Sequence, residues 1–168
     1  MGAPDPVAWA LAALMLGVSG YHLVRLAVGT RREVDVDATH LAMGVAMAVM
    51  LAGWMTADDA AVLAIGFTGP TAWFAVRATH GFVMSGARTA VAPLGRLIGA
   101  GAMVYMLART AADHPMPGMS TPAAPPAFTV LLLVALAGAC VPQLARPSIG
   151  AGCQVAMSAT AAYMLIAL

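Results

Sequence analysis

Residues 7–28, VAWALAALMLGVSGYHLVRLAV, decide the class of fold. The only charged side chain in this run is Arg25, which lies close to its end. A helix that crosses the hydrocarbon core of a bilayer needs about 20 predominantly apolar residues. Pro6, directly before the run, suits the first turn of a helix, where its missing N–H is not needed. The segment before it lacks the basic residues of a cleaved signal peptide. The stretch therefore predicts a transmembrane helix that the mature protein keeps.

The composition of the whole chain extends this prediction. Of the 168 residues, 61% are hydrophobic and only 9% are charged, whereas soluble domains carry about 25% charged residues. A small soluble fold exposes too much of its chain to hide this much apolar surface. The net charge of +1 gives no basic surface for nucleic acid. We therefore expect an all-α membrane protein whose surroundings are the lipid bilayer.

Five further apolar segments follow, and polar or proline-rich stretches separate them. One such stretch, residues 111–126, contains five prolines and is not expected to be helical throughout. Pro70 is expected to kink the third span. The sequence predicts a single domain, 1–168, folded as a bundle of six transmembrane helices. The predicted spans are 7–28, 38–55, 60–79, 90–109, 127–144 and 149–168, with a loop predicted at 81–89 between the third and the fourth.

The arginines predict the orientation of the bundle. Seven of the eight flank the first, third and fifth connections, and Arg109 alone lies toward the opposite side. Positively charged residues collect in cytoplasmic loops. Both termini of this multi-pass protein are therefore predicted outside the cytoplasm.

Three histidines are predicted to lie at one depth, near the cytoplasmic side. They are His22 at the end of the first span, His40 at the start of the second and His80 after the third. Histidines inside membrane spans usually face the bundle interior, and neutral imidazole is a common ligand of Zn, Cu and Fe. A shared metal site is one interpretation. Hydrogen bonding of each ring to a carbonyl or a lipid headgroup is the other.

Methionines form a second pattern, with 13 in the chain. His40, Met43, Met47 and Met50 share one helix face, because their spacings are close to whole numbers of turns. Thioethers are soft ligands that select Cu(I). Such a face could relay copper, although methionine is also an ordinary filler of helix interfaces.

A third pattern lies in the connection predicted outside the cell, DHPMPGM at residues 113–119. His114, Met116 and Met119 place one imidazole and two thioethers within six residues, and two prolines keep the segment from being helical. A solvent-exposed loop gains little from packing methionine, so the segment is a candidate for capturing copper.

Two acids precede His40. Asp35 and Asp37 could orient imidazole ligands or act as a general base, but we favour solvated acids that balance Arg31 and Arg32.

Other polar or reactive residues have ordinary interpretations. Trp9 and Trp54 are expected near the outer interface and Trp73 in mid-span packing, while Cys140 and Cys153 are expected to be free thiols, with pairing left open.

The pattern of His40 with Leu41, Met43, Gly44, Met47 and Met50 resembles a group of small actinobacterial multi-pass membrane proteins that have no assigned function. The resemblance extends over most of the chain. It implies a protein of the bacterial plasma membrane and supplies no reaction.

Several functional hypotheses remain open. The first is a metal-binding protein that handles copper through histidine and methionine. The second is an intramembrane lipid hydrolase in which His22, His40 and His80 hold zinc and activate water. Haem ligation by two histidines and a non-catalytic subunit of a larger membrane complex, or a homo-oligomer, are the others.

Overall fold

The architecture was taken from a computed structural model, which describes residues 5–29, 34–112, 126–144 and 148–167. Within these residues all regular secondary structure is helical, so the predicted all-α class with six helices is confirmed. By length and composition, five of the helices can cross a membrane: α1, α2, α3, α4 and α6. In α5 the apolar stretch Ala127–Val141 is shorter. The helices are α1 Pro6–Val28, α2 Val34–Leu51, α3 Ala57–Ser85, α4 Ala87–Ala112, α5 Pro126–Leu144 and α6 Ile149–Ala167.

The chain divides into two compact units, Met1–Met55 and Thr56–Leu168. The first unit is the hairpin of α1 and α2, and the second contains α3 to α6. The prediction of one domain stays a prediction.

Helix α1 is antiparallel to α2. It begins where the Asp5 side chain accepts a hydrogen bond from the Val7 N–H at 3.0 Å, which satisfies one of the backbone donors left over at a helix start. At this end of the hairpin Trp9 of α1 contacts Trp54, just beyond α2, with ring centroids 5.9 Å apart and planes at 76°. The edge-to-face contact joins the beginning of one helix to the end of the other.

Helix α2 begins earlier than the sequence predicted. It starts at Val34 rather than at residue 38, and it ends at Leu51 rather than at residue 55. Hydropathy placed the boundary after the acids, but Asp35 and Asp37 lie in the first helical turn, where the partial positive charge of the helix start favours carboxylates. As a result Asp37 lies on the same side of α2 as His40, three residues later.

Helices α3 and α4 are joined by a single residue. The predicted loop at 81–89 is wrong, because α3 continues to Ser85 and α4 begins at Ala87. Gly86 makes the turn with φ 82°, a conformation that glycine adopts without a steric penalty. Its N–H donates to the Phe82 carbonyl at 3.0 Å. At the other end of α3, Thr56 and Asp59 form a reciprocal capping box.

The two helices of the first unit approach most closely at Gly44. A Cβ built there would collide with Ser19 Oγ and lie 3.1 Å from the Met15 carbonyl oxygen. Ser19 also donates to the Leu41 carbonyl at 3.4 Å. In the second unit, Tyr105 of α4 and Thr129 of α5 share a hydrogen bond of 3.1 Å. Polar contacts of this kind supplement apolar packing between membrane helices.

Candidate functional site

A buried polar cluster lies in the first unit, at the end of the hairpin opposite Trp9 and Trp54. Helix α1 contributes His22, which is 5% exposed, and α2 contributes Asp37 and His40, which are 5% and 6% exposed. Titratable side chains are rarely this buried unless they are paired. The three residues are therefore the first candidates for a function beyond packing.

The Asp37 carboxylate connects two residues of α1. Its Oδ1 lies 2.8 Å from His22 Nδ1, and its Oδ2 lies 3.4 Å from the guanidinium Nη2 of Arg25. Because His22 and Arg25 are three residues apart, they project from neighbouring positions of one helix. The carboxylate thus has cationic and hydrogen-bonding partners that compensate the cost of burying it.

The preferred sequence interpretation of Asp37 is therefore wrong. It is a buried partner of α1 and not a solvated acid that balances Arg31 and Arg32, two residues outside the part of the chain that the structure describes. Asp35 is half-buried. The alternative in which an acid orients an imidazole matches the geometry of Asp37.

The His40 ring is held by its own helix and by His22. Its Nδ1 donates to the Val36 carbonyl, one turn earlier, at 2.8 Å. Its ring stacks on that of His22 with centroids 4.9 Å apart and planes inclined by 14°. Tyr21 contacts His22 edge-on, with ring centroids 5.3 Å apart, and Arg25 lies 5.9 Å over the Tyr21 ring. Both imidazoles therefore have fixed orientations.

These contacts also fix the tautomers of the neutral rings. A carbonyl or carboxylate oxygen only accepts hydrogen bonds, so each Nδ1 carries the hydrogen. The lone pair of each neutral imidazole then resides on Nε2. Histidines that bind metals through one ring nitrogen usually donate the other N–H to a carboxylate or a backbone carbonyl. His22 and His40 show both versions of this arrangement side by side.

Methionine side chains continue the interface beyond the imidazoles. Met43 and Met47 on α2 are 7% and 1% exposed, and Met15 on α1 is fully buried. Met47 and His40 are seven residues apart on one face of α2, and Met15 and His22 are seven apart on one face of α1. The hairpin thus contains two imidazoles at one end and thioethers toward the other.

The remaining predicted ligands lie elsewhere. His80 belongs to α3 in the second unit, and its side chain is exposed. His114, Met116 and Met119 lie outside the described residues. In the described ranges, no group of three or more His, Cys, Asp or Glu side chains is arranged to hold a metal ion. The shared site of three histidines stays a prediction.

Sequence reasoning missed the pairing of Arg25 with Asp37. The sequence contained a signal for this pair, since each is an ionised residue on an otherwise apolar helix face and each lies three residues from a histidine.

Two other interpretations have clear outcomes. Trp73 is not buried by packing, because the residue is 51% exposed and Arg77 lies over its ring. Cys140 and Cys153 are not joined by a disulfide, as expected.

Comparison with known proteins agrees with the unassigned resemblance. A family model described as a domain of unknown function, DUF5134, matches residues 32–168. The matched range includes Asp37 and His40 and begins after α1. Neither the search of curated proteins nor the search of solved structures gave a match. The chain therefore belongs to the DUF5134 family of domains of unknown function.

Proposed function

We propose that this chain is a copper-binding membrane protein in which His22 and His40 supply imidazole ligands and buried methionines supply thioethers. One observation carries the proposal. Each histidine has its Nδ1 held by an oxygen acceptor, at 2.8 Å in both rings, so that Nε2 is the ligand atom of the neutral tautomer.

The ligand types favour copper over zinc. Imidazole suits both metals, but thioethers select Cu(I), and Met43 and Met47 lie on the helix face of His40. Charge favours the same ion. Arg25 and Asp37 cancel, and imidazole and thioether ligands are neutral. Cu(I) would therefore add one net charge to the buried hairpin, whereas Zn²⁺ would add two at a greater desolvation cost.

The other predicted ligands extend this proposal. His114, Met116 and Met119 would collect copper from outside, the methionines of the hairpin would relay it, and His80 would receive it on the opposite side. The orientation belongs to the same proposal: six spans in a bacterial plasma membrane, with both termini outside. A reporter fused to the carboxyl end tests this orientation, since a cytoplasmic signal would contradict it.

The geometry does not favour haem between His22 and His40. Two axial imidazoles approach an iron from opposite faces of the porphyrin, whereas these rings stack face to face at 4.9 Å. The zinc hydrolase and the accessory subunit stay predictions; the contacts of the imidazoles suit zinc as well as copper, and the methionines are the reason for preferring copper.

The deciding experiment is an anaerobic titration of the detergent-purified full chain with Cu(I), against a chromophoric chelator. We expect one tightly bound copper ion in the wild type and a loss of at least tenfold in affinity for His22→Gln combined with His40→Gln. Met43→Leu and Met47→Leu should weaken binding while conserving volume.

A matched control is Met103→Leu, which changes a methionine of the second unit that is 1% exposed. It should leave copper affinity unchanged. Helical circular dichroism establishes that each variant is folded. The proposal is wrong if the wild type takes up no stoichiometric copper, or if Met103→Leu weakens binding as much as the changes in α2.

A further inference from the structure

Four exposed side chains share one face of α3 in the second unit. Trp73, Arg77, His80 and Met84 fall within an arc of about 60°, at about 100° per residue. Trp73 and Met84 are 51% and 69% exposed, and the other two are also exposed. The guanidinium carbon of Arg77 lies 5.9 Å over the Trp73 ring. A cation is therefore seated on an indole at an outward surface.

The length of α3 places this face at a membrane boundary. Apolar residues begin at Ala60, directly after the acids of the first turn. With a rise of about 1.5 Å per residue, Arg77 lies about 26 Å and His80 about 30 Å farther along the helix. The hydrocarbon core is about 30 Å thick. Arg77 and His80 therefore lie where the core ends, on the side of Gly86.

The hairpin around this position is positive. Residues 60–112, from the end of the first turn of α3 to the end of α4, contain no acidic residue, and three of their four arginines lie within ten residues of Gly86. Arg77 lies nine residues before Gly86 and Arg96 lies ten residues after it, so the two lie at similar levels of the two helices. Positive charge at this level is complementary to the phosphates of lipid headgroups.

The side chain of Arg77 is suited to a phosphate group at the membrane surface. Arginine presents a planar fork of donors that matches phosphate oxygens. Charge that faces hydrocarbon is costly, and long cationic side chains extend to the interface to reach polar partners. By the same rise per residue, Trp73 lies about 20 Å beyond Ala60, inside the hydrocarbon core and next to the guanidinium of Arg77.

We propose that this face of α3 binds the phosphate of an anionic lipid headgroup in the leaflet on the side of Gly86. Arg77 donates to the phosphate oxygens, and His80 supplies a second donor from the next turn. Trp73 holds the guanidinium on one face and contacts the upper part of the acyl chains. The site lies in the second unit and is tested on the metal-free chain, in which His80 holds no copper.

The test uses the metal-free full chain in phosphatidylcholine vesicles that contain a minor fraction of brominated phosphatidylglycerol or of brominated phosphatidylcholine. Bromine quenches the fluorescence of a tryptophan that it contacts. We expect stronger quenching by the anionic lipid and loss of this difference in Trp73→Phe. Arg77→Gln should lower the preference about fivefold, the effect of one arginine near a charged membrane surface.

Two variants and one competitor make the result specific. Arg109→Gln removes a charge in the last turn of α4, away from the Gly86 end, and should leave the preference unchanged. Arg77→Lys keeps the charge without the fork and should give an intermediate preference. Equal quenching by the two brominated lipids overturns the proposal, as does an unchanged preference in folded Arg77→Gln. Abolition of the preference by glycerol 3-phosphate also overturns it, because the site would then take soluble phosphate.

Discussion

Replacing Asp37 by asparagine tests whether a charged carboxylate holds the first unit together. The carboxamide conserves the shape of the side chain. Its oxygen can still accept a hydrogen bond from His22 Nδ1, which lies 2.8 Å from Asp37 Oδ1 in the wild type. A hydrogen bond to a charged group contributes about 1.5–3 kcal/mol and a neutral one about 0.5–1.5 kcal/mol. The ion pair with Arg25, whose side chain is 38% exposed, adds no more than about 1 kcal/mol. We expect Asp37→Asn to lower the free energy of unfolding by about 2 kcal/mol.

Asp37→Ala should cost more, about 3–5 kcal/mol, because it leaves a buried donor and a cation without their acceptor. The free energy of unfolding can be measured by reversible denaturation in mixed micelles. Asp58→Asn, an exposed acid in the first turn of α3, is the control and should change stability by less than about 0.5 kcal/mol. If Asp37→Asn is as stable as this control, the charge of the Asp37 carboxylate does not stabilise the contact between α1 and α2, and the prediction is wrong.

The same change should weaken copper binding. Residues that orient a metal-binding histidine typically contribute about 10- to 100-fold in affinity. Asp37→Asn should therefore lower the Cu(I) affinity within that range while keeping the stoichiometry. Full affinity in the variant would show that Asp37 does not position His22 for a metal.

Three further changes test the packing of both units by the same unfolding measurement. Gly44→Ala should destabilise the chain by about 1–3 kcal/mol, since its Cβ would collide with the neighbouring helix. The control Gly20→Ala, at a position with open space, should be neutral or slightly stabilising. Equal effects of the two changes on stability would refute the close approach of α1 and α2. Thr56→Ala should cost about 1 kcal/mol through loss of the capping box and speed amide exchange at Asp59; unchanged exchange there would contradict this. Tyr105→Phe should cost about 0.5–1.5 kcal/mol by removing the hydrogen bond from α4 to α5, and wild-type stability would count against that bond.

The fold class could be predicted from the sequence because lipid acts on whole segments. Six apolar stretches gave six helices. The ends of α1, α5 and α6 were predicted to within one residue, whereas α3 and α4 are longer than predicted and α2 is shifted by four residues toward the N-terminus. Hydropathy detects the part of a helix that lies in hydrocarbon and not the part that extends beyond it. Val34 to Asp37 is helical although it contains two acids, and the predicted loop at 81–89 is reduced to Gly86.

The candidate site could be predicted only in part. Membrane depth placed His22 near His40, since both lie close to the same end of a hairpin. Depth does not reveal which way a side chain points around its helix. The sequence interpretation therefore predicted a solvated Asp37, whereas this residue is buried in the structure. It predicted a packed Trp73, whereas this residue is exposed. Helix periodicity could have corrected the first error, because Asp37 and His40 are three residues apart.

The single-residue turn at Gly86 restricts how the second unit can move. A connection of this length has no slack, so α3 and α4 cannot slide past one another along their axes without unwinding a turn. Shear is the usual small displacement between packed helices, and it is unavailable to this pair. A large conformational change can therefore alter the angle between α3 and α4 at Gly86 or carry both helices together, but it cannot displace one along the other.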